Sequence, residues 1–142
     1  MIRLTNLADY AVVVMTAAAN ARDPRLSAGS VAAATGLPVP TVAKLMGSLA
    51  KAGLLTSSRG PSGGFRLARE PQAITLADVV EAIDGPIALT SCMHDAASDC
   101  VIEGACAVKP HLSIVTRTVR DALRAVTLAD LAGAKVQEFE EA

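Results

Sequence analysis

Apolar residues recur along the chain in short stretches with helical spacing, separated by glycine and proline. The first predicted helix covers residues 7–20, and Thr5 before it is a candidate N-cap. A second predicted helix covers residues 27–35 and ends at Gly36, and a third runs from about residue 40 to 52. Two short helices joined by a tight turn that contains glycine predict a helix-turn-helix.

A glycine- and proline-rich turn follows the third predicted helix. Two short alternating segments, residues 54–58 and 65–69, flank the stretch from Arg59 to Gly64 and predict a β-hairpin. A hairpin directly after a helix-turn-helix is typical of a wing. The expected fold class is therefore mainly α: a winged helix-turn-helix DNA-binding domain with a β-hairpin wing, followed by a long C-terminal dimerisation helix.

The second half of the chain predicts a capped helix, a loop and a long helix. Thr75 is expected to cap a helix that ends before Gly85, and residues 90–109 form a loop. A long helix then runs from Pro110 to about residue 126, with a short terminal helix at 127–132. The apolar residues of the long helix follow a heptad pattern: Leu112, Val115, Val119, Ala122 and Val126. Such a stripe favours pairing of two helices in a homodimer over packing on the same domain.

Composition and charge narrow the class of protein. The chain of 142 residues is 51% hydrophobic and 19% charged, which is typical of a globular protein. No apolar run reaches the length of a membrane span, and Asp9 lies where a signal peptide would be basic, so the protein is expected to be cytoplasmic with no membrane partner. The net charge of −1 combines +5 over residues 1–70 (eight basic, three acidic) with −6 over residues 71–142 (five basic, eleven acidic). A basic N-terminal half favours double-stranded DNA as a partner.

The candidate DNA contacts are short polar or basic residues of the second helix of the motif, together with residues of the wing. A recognition helix needs such side chains to meet base edges, and glycines at a wing tip let the backbone come close to a phosphate or a minor groove. The candidates are Thr41, Lys44, Ser48, Arg59, Gly60 and Arg66.

All three cysteines lie in one stretch, at Cys92, Cys100 and Cys106. Three thiols do not suit a disulfide framework, and the absence of a C-x-x-C pair disfavours a zinc ribbon. Small residues around the thiols would let the loop wrap an iron–sulfur cluster. Zinc with one further ligand, a thiol-based redox site and inert cysteines remain alternatives. No nucleophile–base pair or nucleotide-binding glycine loop indicates an enzyme, although a small iron–sulfur redox protein is a further alternative.

Several motifs together resemble the Rrf family of winged-helix transcription regulators. They are Asp9-Tyr10-Ala11, the wing from Arg59 to Arg69, Ile74-Thr75-Leu76-Ala77-Asp78-Val79, Glu81-Ala82-Ile83-Asp84-Gly85-Pro86 and the cysteine loop. The family includes the cluster regulator IscR, the nitric-oxide-sensing repressor NsrR and the iron-responsive RirA. The segment 119–131 is most similar to regulators of the SUF iron–sulfur assembly operon. The resemblance implies a homodimer, a cluster on the loop, cluster-dependent binding to a promoter operator and insertion of Arg59 into the minor groove.

The resemblance leaves the cluster type and its fourth ligand open. The first spacing between cysteines is longer than in many relatives, and Lys109 stands where some relatives place a histidine ligand. Both [2Fe–2S] and [4Fe–4S] remain candidates. The candidate fourth ligands are His94, Asp95, Asp99, Glu103, His111 and, by analogy with the nitric-oxide-sensing relatives, Asp9 supplied by the partner subunit.

The expected division of the chain has four parts. Residues 1–86 form the DNA-binding domain, and residues 87–109 form the cluster-binding loop. Residues 110–133 contain the dimerisation helix and the terminal helix, and residues 134–142 are expected to be a flexible tail.

Overall fold

The computed structural model describes residues 2–61, 63–93 and 98–133. This part of the chain is mostly helical, with one antiparallel hairpin of two strands. The helices are α1 (Asn6–Asn20), α2 (Ala28–Thr35), α3 (Val39–Lys51), α4 (Leu76–Asp84), α5 (Lys109–Arg124) and α6 (Leu128–Gly133), and the strands are β1 (Leu55–Ser58) and β2 (Gly64–Leu67). The predicted winged-helix fold class is confirmed. The expected tail, residues 134–142, lies outside the described residues.

Local capping signals fix the ends of the helices. The Thr5 hydroxyl accepts a hydrogen bond from the Ala8 N–H at 3.1 Å and so caps α1. Thr75 and Asp78 form a reciprocal capping box at the start of α4. The same Thr5 hydroxyl donates to the Asp84 carboxylate at 2.8 Å, which links the start of α1 to the end of α4. The capping residues predicted from the sequence therefore also help to assemble the domain.

The core is built around α1. Its buried side contributes Ala11, Val14 and Met15, and α1 packs against α2, α3, α4 and α6. Leu128 of α6 is only 1% exposed and belongs to this same core. The terminal helix, which the sequence grouped with the dimerisation helix, thus packs on the winged-helix domain.

A short backbone pairing holds α6 in this position. Thr75 and Thr127 form an antiparallel bridge. Leu76 N–H donates to the Val126 carbonyl and Leu128 N–H donates to the Ile74 carbonyl, each at 2.8 Å. The segments before α4 and after α5 are therefore joined side by side.

The base of the wing is joined to the segment before α2. Leu26 pairs with Phe65 through two backbone hydrogen bonds of 2.8 Å. Gly64 has a φ of +152°, and a Cβ at this position would lie 2.7 Å from the Leu26 carbonyl oxygen. Glycine is required here by both the backbone conformation and the close approach. The bridge fixes the wing relative to the helix-turn-helix.

The surface of α5 divides into three sides. One side is half-buried against its own domain and includes Leu112, Val119 and Leu123. A second side is exposed and largely apolar, with Ile114 56% and Val115 46% exposed. A third side is also exposed and carries charges: Arg117, Asp121 and Arg124. The predicted heptad stripe is therefore split, because Leu112 and Val119 face the same domain whereas Val115 and Ala122 are exposed.

No helix in the described ranges is both long and apolar enough to cross a membrane.

Candidate DNA interface and cysteine segment

The second helix of the helix-turn-helix presents a polar side opposite its buried side. The buried side of α3 consists of Val42, Leu45, Met46 and Leu49, spaced three and four apart. Lys44 is exposed, and Thr41 and Ser48, at the same three-and-four spacing, are half-buried. These three predicted contacts lie along one side of α3, and their role in binding DNA stays a prediction.

Backbone geometry at the wing tip exposes Arg59. The tip contains Gly60, whose φ is +96°, and Gly63 N–H donates to the Gly60 carbonyl at 2.8 Å. A Cβ on Gly63 would lie 2.5 Å from the Ser58 carbonyl oxygen, so the tight turn excludes a side chain there. Arg59 is exposed beside this turn. The contact of Arg59 with DNA stays a prediction.

Arg66 lies on the exposed side of the wing. It pairs with Thr56 of β1 in the antiparallel register, and both residues are exposed. The neighbouring Phe65 and Leu67 are half-buried and pack against the core. The alternation along β2 thus directs Arg66 outward, as expected for a strand with one buried side.

The three cysteines are free thiols in different local settings. Cys92 lies in a short 3-10 turn, Ser91–Met93, is half-buried, and its sulfur is 3.2 Å from the Thr90 hydroxyl. Cys100 is exposed, and Cys106 is half-buried at the end of a second 3-10 turn, Glu103–Ala105. Within the described residues, no three His, Cys, Asp or Glu side chains are close enough to hold a metal ion.

An ion pair joins Lys109 to Glu103 within the segment that carries the cysteines. The Lys109 ammonium is 2.6 Å from the Glu103 carboxylate. This hydrogen bond raises the pKa of Lys109, and charge interactions with Glu103, Cys92 and Cys106 add to the increase. Hydrogen bonds from Lys109 and Ser98 lower the pKa of Glu103. The sequence did not reveal this ion pair, because Glu103 and Lys109 are six residues apart in a segment without regular spacing.

The donors of this segment suit an iron–sulfur cluster in chemistry. Cysteine thiolates are the ligands that such clusters use, and this segment supplies three of them. Among the candidate fourth ligands, Glu103 is already paired, whereas Asp9, Asp99 and His111 are exposed. His94 and Asp95 lie outside the described residues.

Comparison with known proteins identifies the family. The sequence profile of Rrf2, described as an iron-dependent transcriptional regulator, matches residues 4–134. The chain belongs to the Rrf2 family. A curated protein of Rhodobacter capsulatus, named as an rrf2-like HTH-type transcriptional regulator, is 31% identical over 113 residues, covering 77% of this chain and 75% of the relative.

Two solved structures of Rrf2-type regulators are similar to this chain over most of their length. The structure of CymR, named as the global cysteine regulator of B. subtilis, has a TM-score of 0.70 and 27% identity, covering 94% of this chain and 98% of that chain. T. potens IscR has a TM-score of 0.65 and 28% identity, with coverages of 93% and 87%. Rrf2 proteins are DNA-binding transcriptional regulators, so this member is a regulator and not an enzyme.

Proposed function

We propose that this Rrf2 protein is a homodimer whose binding to promoter DNA depends on an iron–sulfur cluster held by Cys92, Cys100 and Cys106. The observation that carries the proposal is the gathering of three cysteines within fifteen residues of a chain that matches an iron-dependent regulator family. When bound, the cluster supplies iron and sulfide that react with oxygen, peroxide or nitric oxide and respond to iron supply.

The proposed targets are promoters of SUF iron–sulfur assembly genes or of iron and redox stress genes. The resemblance of segment 119–131 to SUF regulators supports this choice, as does the similarity to an IscR structure. Thr41, Lys44 and Ser48 would contact the major groove, and the wing residues Arg59, Gly60 and Arg66 would contact the backbone and the minor groove.

Anaerobic purification of the full chain tests the cluster. We expect brown protein with stoichiometric iron and sulfide, and loss of colour in each of Cys92→Ala, Cys100→Ala and Cys106→Ala. Ser91→Ala, an exposed position in the same segment, is the matched control and should keep the colour. Colourless protein that carries one zinc ion per chain would contradict the proposal.

A thiol-based regulator without a cluster is the second candidate. Exposure of Cys100 favours it, because an exposed thiol is open to oxidation, and so does the similarity to CymR, the regulator named for cysteine. Metal-free protein would then bind DNA differently after oxidation by peroxide and after reduction. If metal-free protein binds DNA equally under both conditions, this candidate fails.

The exposed apolar side of α5 supports the homodimer. None of the sixteen residues of α5 is buried within the chain, and Ile114 and Val115 are exposed. A helix with this much exposed apolar surface is stabilised by packing against a second copy. Val115→Glu should produce monomers in sedimentation equilibrium, whereas Arg117→Glu on the charged side should not. Monomeric wild-type protein would contradict the dimer.

Asp9 is our proposed fourth ligand, reaching the cluster of the partner subunit. It is exposed in the first turn of α1, where it also favours the helix through its dipole. Asp9→Asn keeps the size of the side chain and removes the charge. We expect a changed cluster spectrum or faster cluster loss, with DNA binding partly independent of cluster state. An unchanged spectrum and DNA response would leave Asp9 with only its role in the helix.

A further inference from the structure

The exposed side of α3 offers few groups that hydrogen-bond to bases. The helix contains no Asn, Gln, Asp or Glu to pair with adenine or cytosine, and of the two residue types that pair with guanine it has Lys but no Arg. Thr41 and Lys44 are the hydrogen-bonding side chains in its first two turns, and Ser48 follows one turn later. The remaining exposed positions of its first two turns are aliphatic. They include Val39, which is 50% exposed, and Ala43.

The fold does not explain why residue 47 is a glycine. It lies inside α3, where glycine is less favourable than any residue except proline. Its φ is not positive, and a Cβ at this position would meet no atom within 4 Å. Neither the backbone nor the packing of the described residues therefore requires glycine here. Gly47 lies one turn after Ala43, on the side that carries Lys44, so a missing side chain here suits close approach by a molecule from outside.

We propose that α3 recognises its operator through the methyl groups of thymine, which contact Val39 and Ala43 in the major groove while Gly47 lets the helix lie close to the base edges. This inference rests on the proposed DNA-binding function. Thymine presents a methyl group in the major groove, and aliphatic side chains are its natural partners. The proposed ligand is thus duplex DNA whose half-sites present thymine methyl groups in the major groove.

Removal of the methyl groups from the DNA tests the proposal directly. The purified full chain first selects duplexes from a random-sequence pool, and the selected duplexes are then synthesised with deoxyuridine in place of thymidine. Uracil keeps the base pairing and loses only the methyl group. We expect affinity to fall roughly fourfold for each contacted methyl, as burial of one methyl-sized group implies. The matched control replaces only thymines outside the footprint of α3 and should bind normally. Equal affinity for the thymine and uracil duplexes would overturn the proposal.

Variants of the helix supply an independent test. Ala43→Gly should remove the preference for thymine over uracil at one position of each half-site, whereas Ala33→Gly, an equally exposed helical change on α2, should keep it.

Gly47→Ala should raise the thermal stability of the protein and weaken binding to the selected duplex at least tenfold. Gly133→Ala at the end of α6 should leave binding unchanged. If the Gly47→Ala variant binds the selected duplex as well as the wild type, the proposed close approach of DNA at this residue is wrong.

The outcomes separate this inference from the function on which it rests. A chain that shows no salt-dependent binding to any duplex refutes the proposed function and the inference together. Tight, salt-dependent binding with no preference for thymine over uracil refutes only the methyl contacts.

Discussion

Replacement of Gly64 by alanine should separate the wing from the helix-turn-helix. The φ of +152° at Gly64 is strained for alanine, at a cost of about 1–3 kcal/mol. The new Cβ would also lie 2.7 Å from the Leu26 carbonyl oxygen, so the bridge between Leu26 and Phe65 must open. Loss of its two hydrogen bonds adds about 1 kcal/mol each. The expected decrease in the free energy of unfolding is about 3–5 kcal/mol, a large share of the stability of an ordinary domain.

Gly60→Ala is the matched control for this prediction. Gly60 has a φ of +96°, but a Cβ there would meet no atom within 4 Å, so only the backbone strain applies. Urea unfolding followed by circular dichroism, at equal protein concentrations, compares the two variants. A difference of about 2 kcal/mol should lower the urea midpoint of Gly64→Ala by about 1 M relative to Gly60→Ala. Equal midpoints would refute the steric role assigned to the Leu26 carbonyl.

Three further predictions follow from single side chains. Arg59→Ala should weaken operator binding by about 1–3 kcal/mol at fixed salt without changing the fold, and unchanged anisotropy titrations would contradict this. Thr5→Val should destabilise the protein by about 1 kcal/mol or more in thermal unfolding, because it removes both the cap of α1 and the bond to Asp84. Hydrogen bonds from Thr127 lower the pKa of Asp130, so its stabilisation is complete above about pH 4 and is lost as pH falls through the lowered pKa. Asp130→Ala should therefore weaken the acid dependence of unfolding, and an identical pH profile would contradict it.

Local signals explain why much of the fold could be predicted. Thr5 and Thr75 cap helices because their hydroxyls accept backbone N–H groups a few residues later, and such pairings depend only on neighbouring sequence. Gly36 ends α2 in the left-handed conformation that glycine adopts readily. The turn from Arg59 to Gly64 likewise encodes the wing within a few residues.

Long-range pairings explain what the sequence could not provide. Nothing around Leu26 indicates its bridge to Phe65, which joins residues thirty-nine positions apart. The heptad stripe of α5 was split because a helix can divide its apolar residues between its own domain and another surface, and spacing alone does not assign them. The contacts of Lys109 depend on the irregular turns of the cysteine loop, for which no periodic signal exists.

The bridge between Thr75 and Thr127 affects the order in which parts of the chain can fold during synthesis. It joins the two ends of an excursion that contains α4, the cysteine segment and α5, and α6 then completes the core through Leu128. As the chain leaves the ribosome, the DNA-binding domain lacks this last core helix until the cysteine segment has already been made. The part that binds DNA therefore cannot reach its finished state ahead of the part that carries the thiols. Each newly made copy thus contains its three cysteines before it has a complete DNA-binding domain.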